Sequence, residues 1–365
     1  MRYDRGSAIF PSSHSLWRQL TTKQKSPKVQ FLMYKPEDPS SMLHSLWDDP
    51  YAKKIPPDSL LRTSDQHSFM AKVVNDVADG VVEIIDFAAS QKEREAIGVI
   101  TTPEFSLALG IPINEAELEV IIGKLMEYLK ESGNFLHIHL ASFLVHLSGA
   151  SKFFDRLPRP KIEGPEILNV ALIGKVDGDG CPTINVYYKQ YVSNNDPFAA
   201  YNSKREPDNP QEINLNRVVF SEQTKAVFVG ELCLENVNGV GLVAVAQAIG
   251  RKLVSGSVDY MDYQGYHLLS SDTINYIAMH SAFKIFAQND ARNGPAVSII
   301  GDDDKPIRLQ VKSTVTMNSD KLIARGNISV FPAIELQAMR PILKELVAEI
   351  IEENSLESSI NAFKK

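Results

Sequence analysis

The sequence predicts an α+β protein: an N-terminal extended arm and a helical domain, followed by a mixed α/β domain with a largely antiparallel sheet. Three observations predict it. Residues 1–60 are rich in Ser, Pro and Lys. Residues 61–158 repeat apolar side chains at helical spacing. From Glu166 onward, runs rich in Val, Ile and Tyr alternate with turn residues, the signature of strands. Pro158, Pro160 and Pro165 lie between the last two segments, and proline both blocks helix continuation and extends the residue before it. The expected units are 1–60, 61–158 and 166–365.

The arm offers one strand, Val29 to Tyr34. It also holds both tryptophans of the chain, Trp17 and Trp47, each closing a His-Ser-Leu-Trp tetrapeptide. Trp is favoured at interface anchors, so a protein partner or self-association through the arm is expected, with Trp17 and Trp47 as contacts.

In the helical region, Met70, Val73, Val74, Val77, Val81, Ile84, Ile85 and Ala88 form one stripe. A second helix starts at Asn114 with Glu117 completing a capping box, and ends near Ser132 with Gly133 as a left-handed cap. Thr102 to Lys124 has the spacing of a helix-turn-helix, but Glu115, Glu117 and Glu119 would turn the wrong charge toward phosphates; a packing pair is expected instead. A third apolar segment runs from Phe135 to Leu147. Its His137, His139 and His146 cannot converge on one face of either a helix or a strand, so no metal site is assigned.

The clearest signal is a hairpin from Glu166 to Val192. Leu168, Val170, Leu172 and Val176 share one face of its first arm; Ile184, Val186, Tyr188 and Val192 share one face of the second. A three-residue loop, Gly178 to Gly180, sets Leu172 opposite Val186 and Val170 opposite Tyr188, with Gly180 left-handed. The apolar face is expected to seat the C-terminal core. Tyr187, Lys189 and Tyr191 on the other face make it the first binding candidate.

Beyond the hairpin, strands are expected near 217–220 and 226–234, helices near 240–253 and 273–287, three more strands at 296–300, 307–317 and 321–330, and a last helix carrying Met339 to Ile351. The enzyme-like motif is Gly239-Val-Gly241-Leu-Val-Ala244, with Asp259 downstream as in a dinucleotide fingerprint. The acidic run Asp302 to Asp304 and Asp177-Gly-Asp179-Gly180 lack calcium-loop spacing and read as solvated turns.

Composition narrows the classes. Thirty-eight basic against 45 acidic side chains give a net charge of −7, which disfavours a nucleic-acid coat. Two cysteines, Cys181 and Cys233, make neither a disulfide framework nor a zinc spacing, so a cytoplasmic location is expected. No apolar run suits a signal peptide or a bilayer span, so no membrane partner is expected. No catalytic residue and no cofactor are assigned. The leading expectation is a non-enzymatic binding or assembly component of a cytosolic complex. Its alternatives are a nucleotide- or dinucleotide-using enzyme with its glycine loop at 239–244, and a nucleic-acid binder using the arm's Lys23, Lys25 and Lys28 with the hairpin's Tyr and Lys residues.

Overall fold

The computed structural model describes residues 27–37, 50–56, 58–108, 111–147, 166–178, 180–190, 213–236, 238–254, 263–271, 283–303 and 305–337, with five positions of a C-terminal helix (345, 347–349 and 352). Their strands form two mixed sheets. The first runs β13 (Ser313–Met317), β14 (Gly326–Val330), β1 (Lys28–Pro36), β2 (Ile97–Thr101), β4 (Leu136–Leu147), β5 (Glu166–Val176) and β6 (Pro182–Tyr188). Two short strands join it at the side: β3 (Ile113–Asn114) on β4 and β15 (Ile334–Glu335) on β1. The second runs β12 (Pro306–Arg308), β11 (Gly294–Ile300), β10 (Ile285–Asp290), β9 (Gln264–Ser271), β8 (Ala226–Leu232) and β7 (Val218–Ser221).

Each sheet has a parallel centre and antiparallel flanks. β1, β2 and β4 run parallel in the first; β8, β9 and β10 run parallel in the second. Apolar side chains from both sheets, among them Phe31, Val99, Ala171, Ile173, Phe228, Tyr266 and Leu268, interleave into one buried layer. Outside the first sheet pack α1 (Ser64–Ser90) and α2 (Glu115–Ser132). Outside the second packs α3 (Val240–Val254). The order of layers is helix, sheet, sheet, helix.

This corrects the expected fold class. There is no helical domain followed by a largely antiparallel sheet, because α1 and α2 are the crossover helices of a parallel β1–β2–β4 run. Parallel strands buried on both faces read as continuous apolar runs, and such runs lack the alternation that identifies a strand. β4 is the example: all twelve of its residues are buried, and it lies in a region that reads as mainly helical. β9, Gln264–Ser271, is not among the expected strands. The helix expected at 273–287 is a strand from Ile285 on, its residues 273–282 lying outside the described ones. The single strand expected at 307–317 is two, β12 and β13, one in each sheet.

Local capping signals behave as their chemistry requires. Asn114 Oδ1 accepts from Glu117 N (2.9 Å) while Glu117 Oε2 accepts from Asn114 N (2.8 Å), and Gly133 is left-handed with φ 62°. The hairpin pairs Leu172 with Val186 and Val170 with Tyr188, and Gly180 has φ 74°. Its apolar face, however, packs on α1 and α2 rather than on the C-terminal core. Its other face is covered by the second sheet.

Candidate active site

The parallel strands of the two sheets end at the same edge of the sandwich. Asn289 Nδ2, near the end of β10, donates to the carbonyls of Tyr34 and Thr101 at the ends of β1 and β2, both at 2.9 Å. Ser270 Oγ, near the end of β9, donates to the Thr102 carbonyl at 2.7 Å. Carboxyl ends of parallel strands are where α/β proteins place their sites, because side chains leaving the sheets there converge without a covering layer.

Three chemically capable side chains leave from this edge. Glu104 follows β2 and is buried; its Oε1 accepts from Lys189 Nζ at 2.8 Å, and neither side chain meets solvent. Lys189 follows β6. Cys233 follows β8 and opens a one-turn 3-10 segment, Cys233–Glu235. Its backbone is left-handed, φ 44°, and Phe105, next to Glu104, has φ 61°. Two of the three non-glycine residues with positive φ among the described residues therefore flank this one edge. Such conformations cost about 1–3 kcal/mol each and persist where surrounding contacts enforce them.

Those contacts are explicit. Ser142 Oγ accepts from Phe105 N at 3.1 Å, and Thr102 Oγ1 accepts from Ala141 N at 2.7 Å, so the Glu104 loop is stitched to β4. The turn at Cys233 is held by Glu235. Its Oε2 accepts from Leu232 N (2.9 Å) and Arg217 Nη1 (2.8 Å), and its Oε1 from Gln190 N (2.7 Å) and Arg217 Nη2 (3.0 Å). Arg217 also donates to the Tyr188 carbonyl (3.3 Å) and Gln190 Oε1 (3.1 Å). The residues on both sides of Lys189 are thus tied to the turn that begins with Cys233. Within that turn Leu232, Glu235 and Asn236 are buried, while Cys233 is half-exposed.

Below the site runs a neutral polar chain. The Ser270 hydroxyl proton goes to Thr102, so Ser270 Oγ can only accept from His139 Nδ1, 3.2 Å away. His139 Nε2 is then an acceptor, and the Tyr187 hydroxyl at 2.6 Å donates to it. Burial pushes the His139 pKa down to about 3, helped by His267 and Arg217, so the imidazole is neutral as this chain requires. Burial likewise raises the Tyr187 hydroxyl well above its usual value. Only glycine fits beneath them: a Cβ at Gly230 would lie 2.7 Å from both His139 Nε2 and the Tyr187 hydroxyl.

The residues singled out in the sequence fall differently. Tyr187 and Lys189 are fully buried between the sheets, so they are no open binding face. Tyr191, Trp17, Trp47 and Asp259 lie outside the described residues. Gly239, φ 68°, turns the chain into α3, and Ala244 is in the core beneath that helix. Gly241 N donates to Glu231, whose carboxylate also takes Asn236 Nδ2 (3.0 Å) and lies 2.6 Å from His267 Nε2. A buried carboxylate therefore caps the helix where a dinucleotide would need its pyrophosphate bound, and the glycines serve a close approach to Glu231: a Gly241 Cβ would lie 2.6 Å from it. His137 and His139 share a face of β4, with His146 far along the strand. Among the described residues no three His, Cys, Asp or Glu side chains gather as a metal site would need.

Glu104 and Cys233 were missed as site residues. Each is the chemical side chain met just after a buried parallel strand, which is a usable signal only once those strands are identified.

No protein-family model and no curated protein matches the chain. Among solved structures it is similar to a carbon-nitrogen hydrolase from Helicobacter pylori G27, at 9% identity over 89% of this chain and 92% of that one, with a TM-score of 0.38. It is also similar to a CN-hydrolase superfamily protein from Xanthomonas campestris carrying an arsenic adduct in its active site, at 10% identity over 88% and 94%, with a TM-score of 0.32. Both are described as hydrolases. The expectation of a non-enzymatic binding or assembly component, with its dinucleotide and nucleic-acid alternatives, is corrected on the chain's own residues. The residues themselves account for the correction: the expected partner face is buried, the expected cofactor loop is capped from within, and a Glu–Lys pair stands at the strand ends with a cysteine on a strained turn.

Proposed function

We propose that the protein hydrolyses a carbon–nitrogen bond of an amide or nitrile through a covalent intermediate on Cys233. The observation that supports this most is the left-handed, half-exposed Cys233, opening a turn whose Glu235 accepts from Gln190 N on one side of Lys189 and, through Arg217, holds the Tyr188 carbonyl on the other. A thiol needs a base or a nearby cation to attack at neutral pH, and the Glu104–Lys189 pair supplies both.

For an amide, the Glu104 carboxylate takes the thiol proton as Sγ bonds to the carbonyl carbon. The Lys189 ammonium stabilises the oxyanion that forms, an effect strongest where water is excluded. Collapse of the intermediate breaks the C–N bond, and the proton held by Glu104 passes to the leaving nitrogen. Water then attacks the thioester, giving one proton to Glu104; collapse returns it to Sγ and releases the acid. An amine is a poor leaving group unless protonated, so a site that retains the thiol's proton suits amides better than esters.

The test is a panel of small amides and nitriles with intact-mass analysis after acid quench. Turnover with an acyl adduct localised to Cys233, both lost in Cys233→Ala, is the expected result. Undiminished turnover by Cys233→Ala would sink the proposal.

A further inference from the structure

We propose that Asn169 is a positioning residue that fixes the Glu104 carboxylate against Lys189 and keeps it ionised; the inference rests on the reaction proposed above. Asn169 lies on β5 and reaches both partners at once. Its carbonyl accepts from Lys189 N at 2.8 Å, continuing the β5–β6 ladder one step past Tyr188. Its side-chain Nδ2 donates to Glu104 Oε1 at 2.9 Å, the same oxygen that takes Lys189 Nζ at 2.8 Å.

The backbone of Asn169 thus sets where Lys189 leaves the sheet, and its side chain sets where the carboxylate points. Asn169 is 7% exposed, so water cannot readily replace its amide. Two donors on one carboxylate oxygen favour the charged form. That form is the one able to take the thiol proton. The other ionisable groups nearby are Tyr187, whose hydroxyl feels Arg217, Glu235, Glu231 and Glu104, and His139, held neutral. Glu104 Oε1 takes the Lys189 ammonium and the Asn169 amide together.

The pH dependence of Cys233 alkylation tests this without a known substrate. Iodoacetamide is applied to the full chain carrying Cys181→Ala, because Cys181 is exposed, and modification is followed by mass spectrometry. With Asn169 present, alkylation rises through a midpoint well below the free-thiol pKa of about 8.5. Asn169→Leu removes the donor and moves that midpoint up by about one pH unit. Asn169→Ser, whose shorter hydroxyl reaches less far, moves it up by about half as much and guards against loss of folding in the leucine variant. Glu104→Gln abolishes the low-pH limb. A low midpoint that neither Asn169 variant moves overturns the role of Asn169 alone. A midpoint in the ordinary thiol range with Asn169 present overturns the proposed reaction and this role with it.

Discussion

Two buried ion pairs lie side by side at the strand ends, and they are built for different work. Arg217–Glu235 is saturated: each carboxylate oxygen takes one backbone N–H and one guanidinium N–H, and the guanidinium also reaches backbone and side-chain oxygens around it. Lys189–Glu104 joins a single-point ammonium to one carboxylate oxygen. Arginine offers a rigid fork with several donors, lysine a compact charge on a flexible stem. The first pair fixes geometry; the second has the single charge and the carboxylate that the proposed reaction calls on. Burial alone does not distinguish them, since all four side chains are fully buried.

The largest effect separates them by stability. Arg217→Met with Glu235→Leu removes both charges yet strands the N–H groups of Leu232 and Gln190 and the carbonyl of Tyr188. Each orphaned buried group costs about 1–3 kcal/mol, which together approaches the roughly 5–15 kcal/mol that holds a domain folded. The double variant should be recovered without cooperative unfolding in urea. A well-folded variant would show that this pair is no clamp.

Next comes the mirror experiment. Glu104→Gln with Lys189→Met also removes both charges, but the glutamine oxygen can still accept from Asn169. Replacing a whole buried pair in this way is often neutral or stabilising, so the urea midpoint should change little. Hydrolysis should fall by about a thousandfold or more, as base and charge stabilisation are lost together. Full activity, or unfolding, would erase the distinction between the two pairs.

The clamp was far less legible in the sequence than the hairpin. Leu172 opposite Val186 followed from alternation and from one glycine, and the Asn114–Glu117 box from spacing alone; both are local chemistry. Arg217 and Glu235 meet Gln190 across two sheets, and no local pattern encodes that. Lys189 stood out, but as an exposed contact, because a Tyr/Lys strand face reads the same whether water or a second sheet covers it. Glu104 and Cys233 stayed hidden for a further reason. Their positions acquire meaning at the carboxyl ends of β2 and β8, and neither strand's parallel pairing is visible in one sequence. Glycines misled in the same way: Gly241 has a structural reason, room for Glu231, that looks like a phosphate loop.

Acid should loosen the scaffold beneath both pairs. Burial holds His137 and His139 neutral, with pKa values down to about 3 against an ordinary 6.5. The unfolded chain therefore binds protons first, and stability is fully present above pH 6.5 and lost as pH falls toward 3. Each histidine contributes about 1.4 kcal/mol per pH unit in that window. Urea unfolding at pH 7 and 5.5 should differ by about 2–3 kcal/mol from these two groups, and His139→Gln should remove about half of that. An unchanged difference would mean that His139 is charged or solvated.

The smallest effect tests whether distance or burial sets the worth of an ion pair here. Lys124 Nζ lies 2.6 Å from Asp79 Oδ1, closer than Lys189 is to Glu104, but the two side chains are 34% and 48% exposed. The pair joins α2 to α1 over the surface, where water screens both charges and each side chain surrenders rotamer freedom to hold the contact. Lys124→Ala should cost less than about 0.5 kcal/mol, and that small cost should vanish in high salt. If it cost as much as breaking a buried pair, proximity rather than dehydration would be setting these energies. The contrast between clamp and proposed catalytic pair would then have to be rebuilt on distances alone, where 2.8 Å for both Arg217–Glu235 and Lys189–Glu104 gives no contrast at all.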